Sequence, residues 1–265
     1  MRLEVLISCM YQKNASIINC TGIQTDVLVI NQCNYESKEE FDLKNKKGEI
    51  CQARIINTKE RGLSKSRNMA LQTAKGDICL FCDDDEQLVP EYPEIILNAF
   101  LNNPAIDGIV FWIDKPSKRG KELKKVKRLT YIDALQTSSV QIAFRRERIL
   151  ERNIRFDELM GSGTGNGGGE EVKFLFDCLQ NKLNILCVPQ LIGSVKQTSS
   201  GWFSGFTPQF MRNQGWTSRR IMGALIGYVY IILFVFRKYK LYKNDCSFWR
   251  ALKEIHMGFF EDRTV

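Results

Sequence analysis

Imidazole is nearly missing from this sequence: one histidine, His256, occurs in 265 residues. It lies in an amphipathic segment near the end and reads as structural. The single C-x-x-C, Cys79 to Cys82, has no second pair, and on a strand its thiols point to opposite faces, which argues against zinc. No Gly-Lys-Ser/Thr occurs in the glycine cluster, so there is no P-loop. No secretory signal is expected either, because Met1-Arg2-Leu3-Glu4 leads straight into a strand-like run with no cleavage-type segment after it. Apart from that glycine cluster nothing is of low complexity, and the longest apolar run falls short of the roughly 20 residues that cross a bilayer as a helix.

What is present is a chain long enough for one sizeable core plus an appendage, or for two small domains. Nine cysteines, an odd number, sit mostly inside apolar runs, as at Cys9, Cys79, Cys178 and Cys187. That fits reduced core thiols in a cytosolic protein better than a disulfide framework. The net charge of +8 and pI near 9.0 favour an anionic partner: a nucleotide, a nucleic acid or a membrane surface.

Short apolar runs at Leu3–Ser8, Val27–Ile30, Ala53–Asn57, Ile78–Cys82, Ile109–Ile113 and Val140–Phe144 read as strands, several with polar residues at their carboxyl ends. Helical patterns fall between them, from Leu63 to Ala74, from Glu91 to Leu101 behind Pro90, and from Val172 to Leu179. The alternation predicts a doubly wound α/β domain. The polar segment Glu36–Gln52 is expected to be a surface excursion. Lys115–Arg128, with eight basic residues against one acid, reads either as a solvated loop or as a contact for anionic lipid or an acidic acceptor.

Chemistry concentrates in two places. At the carboxyl end of the Ile78–Cys82 strand stand Asp83, Asp84, Asp85 and Glu86, four acids that form either a capped turn or a seat for a divalent cation. Asp83-x-Asp85 suits Mg²⁺ or Mn²⁺, which bridge carboxylates to substrate phosphates, and Arg61, Lys65 and Arg67 lie just upstream to hold a diphosphate. The second place is the stretch from Gly161 to Gly169, six glycines in nine residues, followed by Glu170 and Glu171. Gly163-x-Gly165-x-x-Gly168 matches a dinucleotide fingerprint in form only, since it comes late and no acid follows about 20 positions on. The two glutamates either favour a helix dipole or serve the chemistry.

The last part changes character. Trp202, Phe203, Phe206, Phe210 and Trp216 interleave with Arg212, Arg219 and Arg220, then Ile221–Phe236 is an uncharged, mostly apolar run closed by Arg237, Lys238, Lys240 and Lys243. Three placements stay open: a helix sunk into one leaflet or re-entrant, a buried core or dimer helix, and a short spanning helix. Ser247–Phe260 is amphipathic. The expected division is a catalytic domain over 1–198 and a helical, membrane-associating region over 199–265.

The order Glu60-Arg61-Gly62, Arg67-Asn68, Gly76-Asp77, Asp83-Asp84-Asp85 and Pro90, followed by Gly169-Glu170-Glu171, resembles the family 2 glycosyltransferases of the bacterial cell-surface polysaccharide type. These are inverting enzymes of the GT-A fold, and the resemblance runs from about Leu3 to Gly193. It implies a GT-A mixed α/β sheet and Asp83 and Asp85 as metal ligands for Mn²⁺ or Mg²⁺. It further implies Glu171 as the base that deprotonates the acceptor and Glu170 as a lining of the acceptor site. Donor contacts implied are Cys9, Tyr11, Asn31, Gln32, Arg61, Lys65, Arg67, Asp83 and Asp84. Lys196 stands in the stretch where many relatives carry a late histidine, and a direct charge contact with the phosphates is expected there. The implied activity is transfer of a sugar, from a UDP-linked nucleotide-sugar, to a lipid-linked or polysaccharide acceptor at the cytoplasmic membrane face. A nucleotidyltransferase of similar fold, or a non-catalytic membrane or nucleic-acid binding protein, are the other readings. Against nucleic acid, the basic and aromatic residues gather beside the apolar run instead of forming a stacking platform.

Overall fold

The computed structural model describes residues 1–114, 125–196, 203 and 205–263. Most of the basic stretch 115–128 lies outside them, as do Gln197 to Ser200, Trp202 and the expected junction at 198/199.

Period-two alternation in the apolar runs gives each strand two buried faces and the sheet two cores. In β1 (Leu3–Met10), β2 (Asp26–Gln32) and β5 (Ile78–Asp83), residues Val5, Ile7, Val27, Val29 and Leu80 enter one core while Leu6, Leu28, Cys79 and Phe81 enter the other. β1 runs parallel to β2 and β5, and β2 runs parallel to β4 (Ile50–Thr58). The second core is rich in aromatics, with Phe156 and Phe174 stacked at 4.5 Å and Phe81 edge-on to both.

Three elements depart from the sequence reading. The polar segment expected as an excursion holds β3 (Ser37–Lys44), an antiparallel edge strand on β4, whose largely exposed residues leave no apolar run to detect. The strand expected at Val140–Phe144 begins later, as β9 (Ile142–Arg145), after a 3₁₀ turn over Ser139–Gln141. It lies antiparallel between β5 and β7 (Gly108–Asp114), which makes the sheet mixed, as the family resemblance implies. A long strand not read from the sequence, β10 (Ile185–Val195), runs parallel to β7 and antiparallel to the short β6 (Glu86–Leu88). The order is β3-β4-β2-β1-β5-β9-β7-β10-β6, with β8 (Lys127–Arg128) beside β10.

Helices cover both faces: α1 (Ser16–Cys20) and α3 (Tyr92–Leu101) on the first core, α2 (Leu63–Thr73), α4 (Tyr131–Ala134), α5 (Arg146–Glu151) and α6 (Glu170–Gln180) on the second. Beyond them lie α7 (Pro208–Tyr242) and α8 (Phe248–Phe260). Thr207 caps α7 by accepting the Phe210 N–H at 3.1 Å, and Pro208 sits in its first turn, where its missing N–H costs little. At Gly223, with φ 76° and ψ −177°, α7 breaks into two helical pieces. α7 and α8 build a third core from Met211, Ile231, Val235, Tyr242, Ala251, Ile255 and Phe259. Their backbones touch at Gly215 and Gly258, where any Cβ would overlap a carbonyl of the opposite helix.

Candidate active site

The acids expected at a strand end do follow the last residues of β5, beside the carboxyl ends of β1 and β2. What joins them to the glycine-loop glutamates is Arg67 on α2. Its side chain is 3% exposed. Nη2 donates to Asp83 Oδ1 at 3.0 Å and to Ser139 Oγ at 2.7 Å, and Nη1 donates to Glu170 Oε1 at 3.0 Å. Burial works against its charge, yet Asp83, Glu170 and Glu171 outweigh that and hold its pKa above the ordinary value.

The neighbouring Asn68 ties α2 to the segment that leads into the loop. It accepts the Phe156 N–H at 2.8 Å and donates to the Phe156 carbonyl at 2.9 Å and to Glu158 Oε1 at 3.0 Å. Ser64 donates to the Met160 carbonyl at 2.8 Å, and the Leu63 N–H donates to the Ser162 carbonyl at 3.2 Å. The first half of α2 therefore braces the loop from inside. Gly161, Gly163, Gly165, Gly167 and Gly169 all have φ between 75° and 104°, a region that glycine enters without penalty. Five such residues fold the loop tightly, with the Gly161 N–H closing on the Gly167 carbonyl at 2.9 Å.

The loop delivers Glu170 and Glu171 to the first turn of α6. Glu170 faces Arg67. Glu171 Oε2 is buried and has no hydrogen-bond partner among the described residues. Burial first, and then the charge of Glu170, raise the Glu171 pKa well above its ordinary 4.5. A desolvated carboxylate with an unpaired oxygen is suited to taking a proton.

Around the acids of β5, burial and the neighbouring Asp83 raise the pKa of Asp84 and of Asp85. Glu86 is buried, accepts the Asp83 N–H at 3.1 Å through Oε2, leaves Oε1 without a hydrogen-bond partner among the described residues and has its pKa raised well above the ordinary value, by burial first and then Asp83. Among the described residues no group of three or more His, Cys, Asp or Glu is set to hold a metal. Asp83 is engaged by Arg67, so Asp84 and Asp85 are the carboxylates left for a cation. Their mutual repulsion is what a hard cation relieves, and its other ligands would come from phosphate or water.

The remaining expected residues divide. Tyr11 is exposed, with φ 53°, and the Arg61 guanidinium lies 5.4 Å from its ring centroid. The Cys9 thiol is buried against the Ile30 carbonyl and pushed up to about 12, by burial first. The Asn31 amide is used within the protein: it accepts the Gln12 N–H at 3.0 Å and donates to the Gln12 carbonyl at 2.9 Å and to Asn57 Oδ1 at 2.7 Å. Gln32 Oε1 accepts the Gly62 N–H at 2.8 Å. Lys65 pairs with Glu60 at 3.7 Å. Lys196 Nζ donates to the Cys20 carbonyl, while its N–H donates to the Asp85 carbonyl at 2.9 Å, so its backbone and not its ammonium meets the acid turn. The structure thus gathers Arg67, Asp83, Glu170 and Glu171 and leaves the Lys65 and Lys196 side chains outside that network. Sequence reasoning missed Ser139 and the part played by Asn68. Ser139 lies 72 positions from Arg67 in a segment with no motif, so nothing local marked it.

Residues 13–166 match the family model described as glycosyl transferase family 2. A stretch of 94 residues is 32% identical to an uncharacterized glycosyltransferase of Haemophilus influenzae, covering 36% of this chain and 31% of that protein, about a third of the relative's length. The crystal structure of S. aureus TarS 1–349 matches with TM-score 0.63 and 16% identity over 98% of this chain and 81% of that one. A second crystal structure, TarS 1–349 in complex with UDP-GlcNAc, matches with TM-score 0.62 and 15% identity over 92% and 74%. At these identities the likeness is one of fold.

Proposed function

The chain belongs to glycosyl transferase family 2, and from that premise we propose that it moves a sugar from a UDP-linked nucleotide-sugar to a lipid-linked or polysaccharide acceptor, with inversion, at the cytoplasmic membrane face. The observation that carries this reading is the Arg67 bridge, which binds the donor-side Asp83 and the acceptor-side Glu170 into one buried network beside the unpaired Glu171. Support for the donor comes from the UDP-GlcNAc complex of a TarS structure of the same fold.

In this reading Tyr11 and Arg61 offer a stacked surface to the nucleobase and Glu171 takes the proton from the acceptor hydroxyl. Asp84 and Asp85, with Asp83 turned to Arg67, would hold Mn²⁺ or Mg²⁺, which when bound neutralises charge on the departing diphosphate. Arg67 orients Asp83 and holds the Glu170 carboxylate in an ion pair. Residues 1–198 form the catalytic unit and 199–265 the membrane-associating one.

Membrane association rests on the second piece of α7. Leu225 at 81% exposure, Ile226, Val229, Leu233 and Phe236 fall on one side of the helix, opposite the buried Ile231 and Val235. Arg237, Lys238, Lys240 and Lys243 follow, all exposed. By length and apolar composition α7 is able to cross a membrane. Its inner face, however, packs on α8, which carries the exposed Arg250 and Lys253, and a crossing would draw those charges into hydrocarbon. The pair therefore lies in the plane of the membrane surface.

The test is donor binding and turnover in two variants. Asp85→Ala should lose Mn²⁺-dependent stabilisation by UDP in a thermal shift, and Glu171→Gln should lose transfer by about 10²–10⁴-fold while still binding UDP. Full activity in either variant overturns the assignment, and release of pyrophosphate in place of UDP would indicate nucleotidyl transfer.

A further inference from the structure

We infer that Arg220 and Arg263 are positioning residues for the base: they fasten the glycine loop from outside, which makes the C-terminal helix pair a working part of the catalytic centre. The inference rests on the reading of Glu171 given above.

The inner side of the loop is held by α2, but its outer wall is α7. A Cβ placed on Gly167 would sit 3.3 Å from Asn213 Cβ, and one on Gly169 would sit 3.3 Å from Thr217 Cγ2 and 3.4 Å from Ile221 Cδ1. Two arginines then clamp the loop at two points. Arg220 forks onto Asp157, with Nε on Oδ2 and Nη2 on Oδ1 at 2.9 Å. Asp157 starts the turn into the loop, since its Oδ1 accepts the Leu159 N–H at 3.1 Å and its carbonyl accepts the Met160 N–H at 3.0 Å. Arg263 donates through Nη1 to the Asn166 carbonyl at 3.4 Å and to Asn213 Oδ1 at 2.8 Å, and through Nη2 to Glu261 at 2.9 Å. Asn166 in turn donates to the Leu159 carbonyl at 3.1 Å, closing the loop on itself.

Both guanidinium groups lie over the buried Trp216, with their central carbons 5.2 Å and 5.4 Å from its ring centroid. An isolated ion pair at a surface contributes little. These two are forked or multiply bonded and stacked on one indole, and they end on the segment whose next residues are Glu170 and Glu171. A base displaced by about 1 Å loses rate on the order of 10²-fold, so the clamp has leverage on turnover without touching the donor.

The experiment uses the full chain and compares Arg220→Gln, Arg263→Gln, Arg220→Lys and Asp157→Asn with wild type. Transfer kcat should fall about ten- to a hundred-fold in the two glutamine variants. UDP–Mn²⁺ affinity should be unchanged, Arg220→Lys should recover part of the rate, and Asp157→Asn should reproduce Arg220→Gln. Backbone hydrogen exchange should accelerate over residues 157–169 and stay unchanged over α3. Unchanged exchange over 157–169 in both glutamine variants overturns the inference, as does a fall in kcat matched by an equal fall in UDP–Mn²⁺ affinity. The exchange arm needs no substrate. An absence of transfer in the wild type would count against the proposed activity and leave the clamp to be decided by exchange.

Discussion

Three side chains carry most of the argument at the residue scale: Arg67, Glu170 and Glu171. The first two are ion-paired, and the third is left desolvated with an oxygen that has no hydrogen-bond partner among the described residues. The sign of the resulting pH dependence follows from linkage. A carboxyl group whose folded pKa is raised binds more protons in the folded state than in the unfolded chain, so stability falls as pH rises from its ordinary titration range through the raised value. Glu171→Gln cannot ionise, so metal-free variant and wild type should differ in Tm by an amount that grows in the variant's favour from pH 5 to about 8. A constant difference across that range would show that Glu171 titrates normally. In the proposed role of Glu171 as the base, the same shift has the opposite consequence in turnover, because the base must be unprotonated: kcat/KM should decline as pH falls through the raised value.

At the scale of elements, α2 and the α7–α8 pair do the positioning. The helical spacing of α2 was readable, and Arg67-Asn68 stood out through its resemblance to a known family motif. The partners of both residues were not readable, because Ser139, Phe156 and Glu170 lie 72 to 103 positions away and are brought near only by the sheet. The strand β9 is legible as an apolar run and the family resemblance implies a mixed sheet, but the run itself carries no sign of which strand pairs antiparallel. The α7–α8 contact depends on two glycines whose role is steric. Gly258→Ala would push a methyl group into the Arg212 carbonyl. It should lower stability by about 1–3 kcal/mol in urea titration, the usual range for overpacking. No change would mean that the two helices sit farther apart than they do here.

Across the whole molecule, charge and apolar surface are unevenly placed. The sheet buries most of its apolar residues in two cores, while α7 and α8 expose a series of large apolar residues, with Trp249 at 76% and Phe260 at 58%, alongside exposed lysines and arginines. The full chain should float with vesicles rich in anionic lipid and release as salt rises, because the head-group attraction is screened within about 10 Å at 0.1 M. Val229→Glu with Leu233→Glu should abolish flotation while leaving UDP binding intact. Retained flotation would place the lipid contact elsewhere. The Arg220 and Arg263 contacts link this surface to the glycine loop that leads into Glu170 and Glu171, so the helices are joined to that loop and not merely appended to it.

By itself the sequence determined most of the strands with buried faces, though not β10, together with the acid turn after β5, the glycine cluster before two glutamates and the amphiphilic end. Each of these is local, set by side-chain period, turn chemistry or the adjacency of like charges. Tertiary structure alone decided which acids remain available, because only packing placed Arg67 between Asp83 and Glu170 and left Glu171 Oε2 unpaired. It also decided that the Asn31 amide is consumed by Gln12 and Asn57, and that the apolar run is split at Gly223 with one face covered by α8. Those outcomes depend on which distant groups meet in three dimensions, and sequence distance does not encode that.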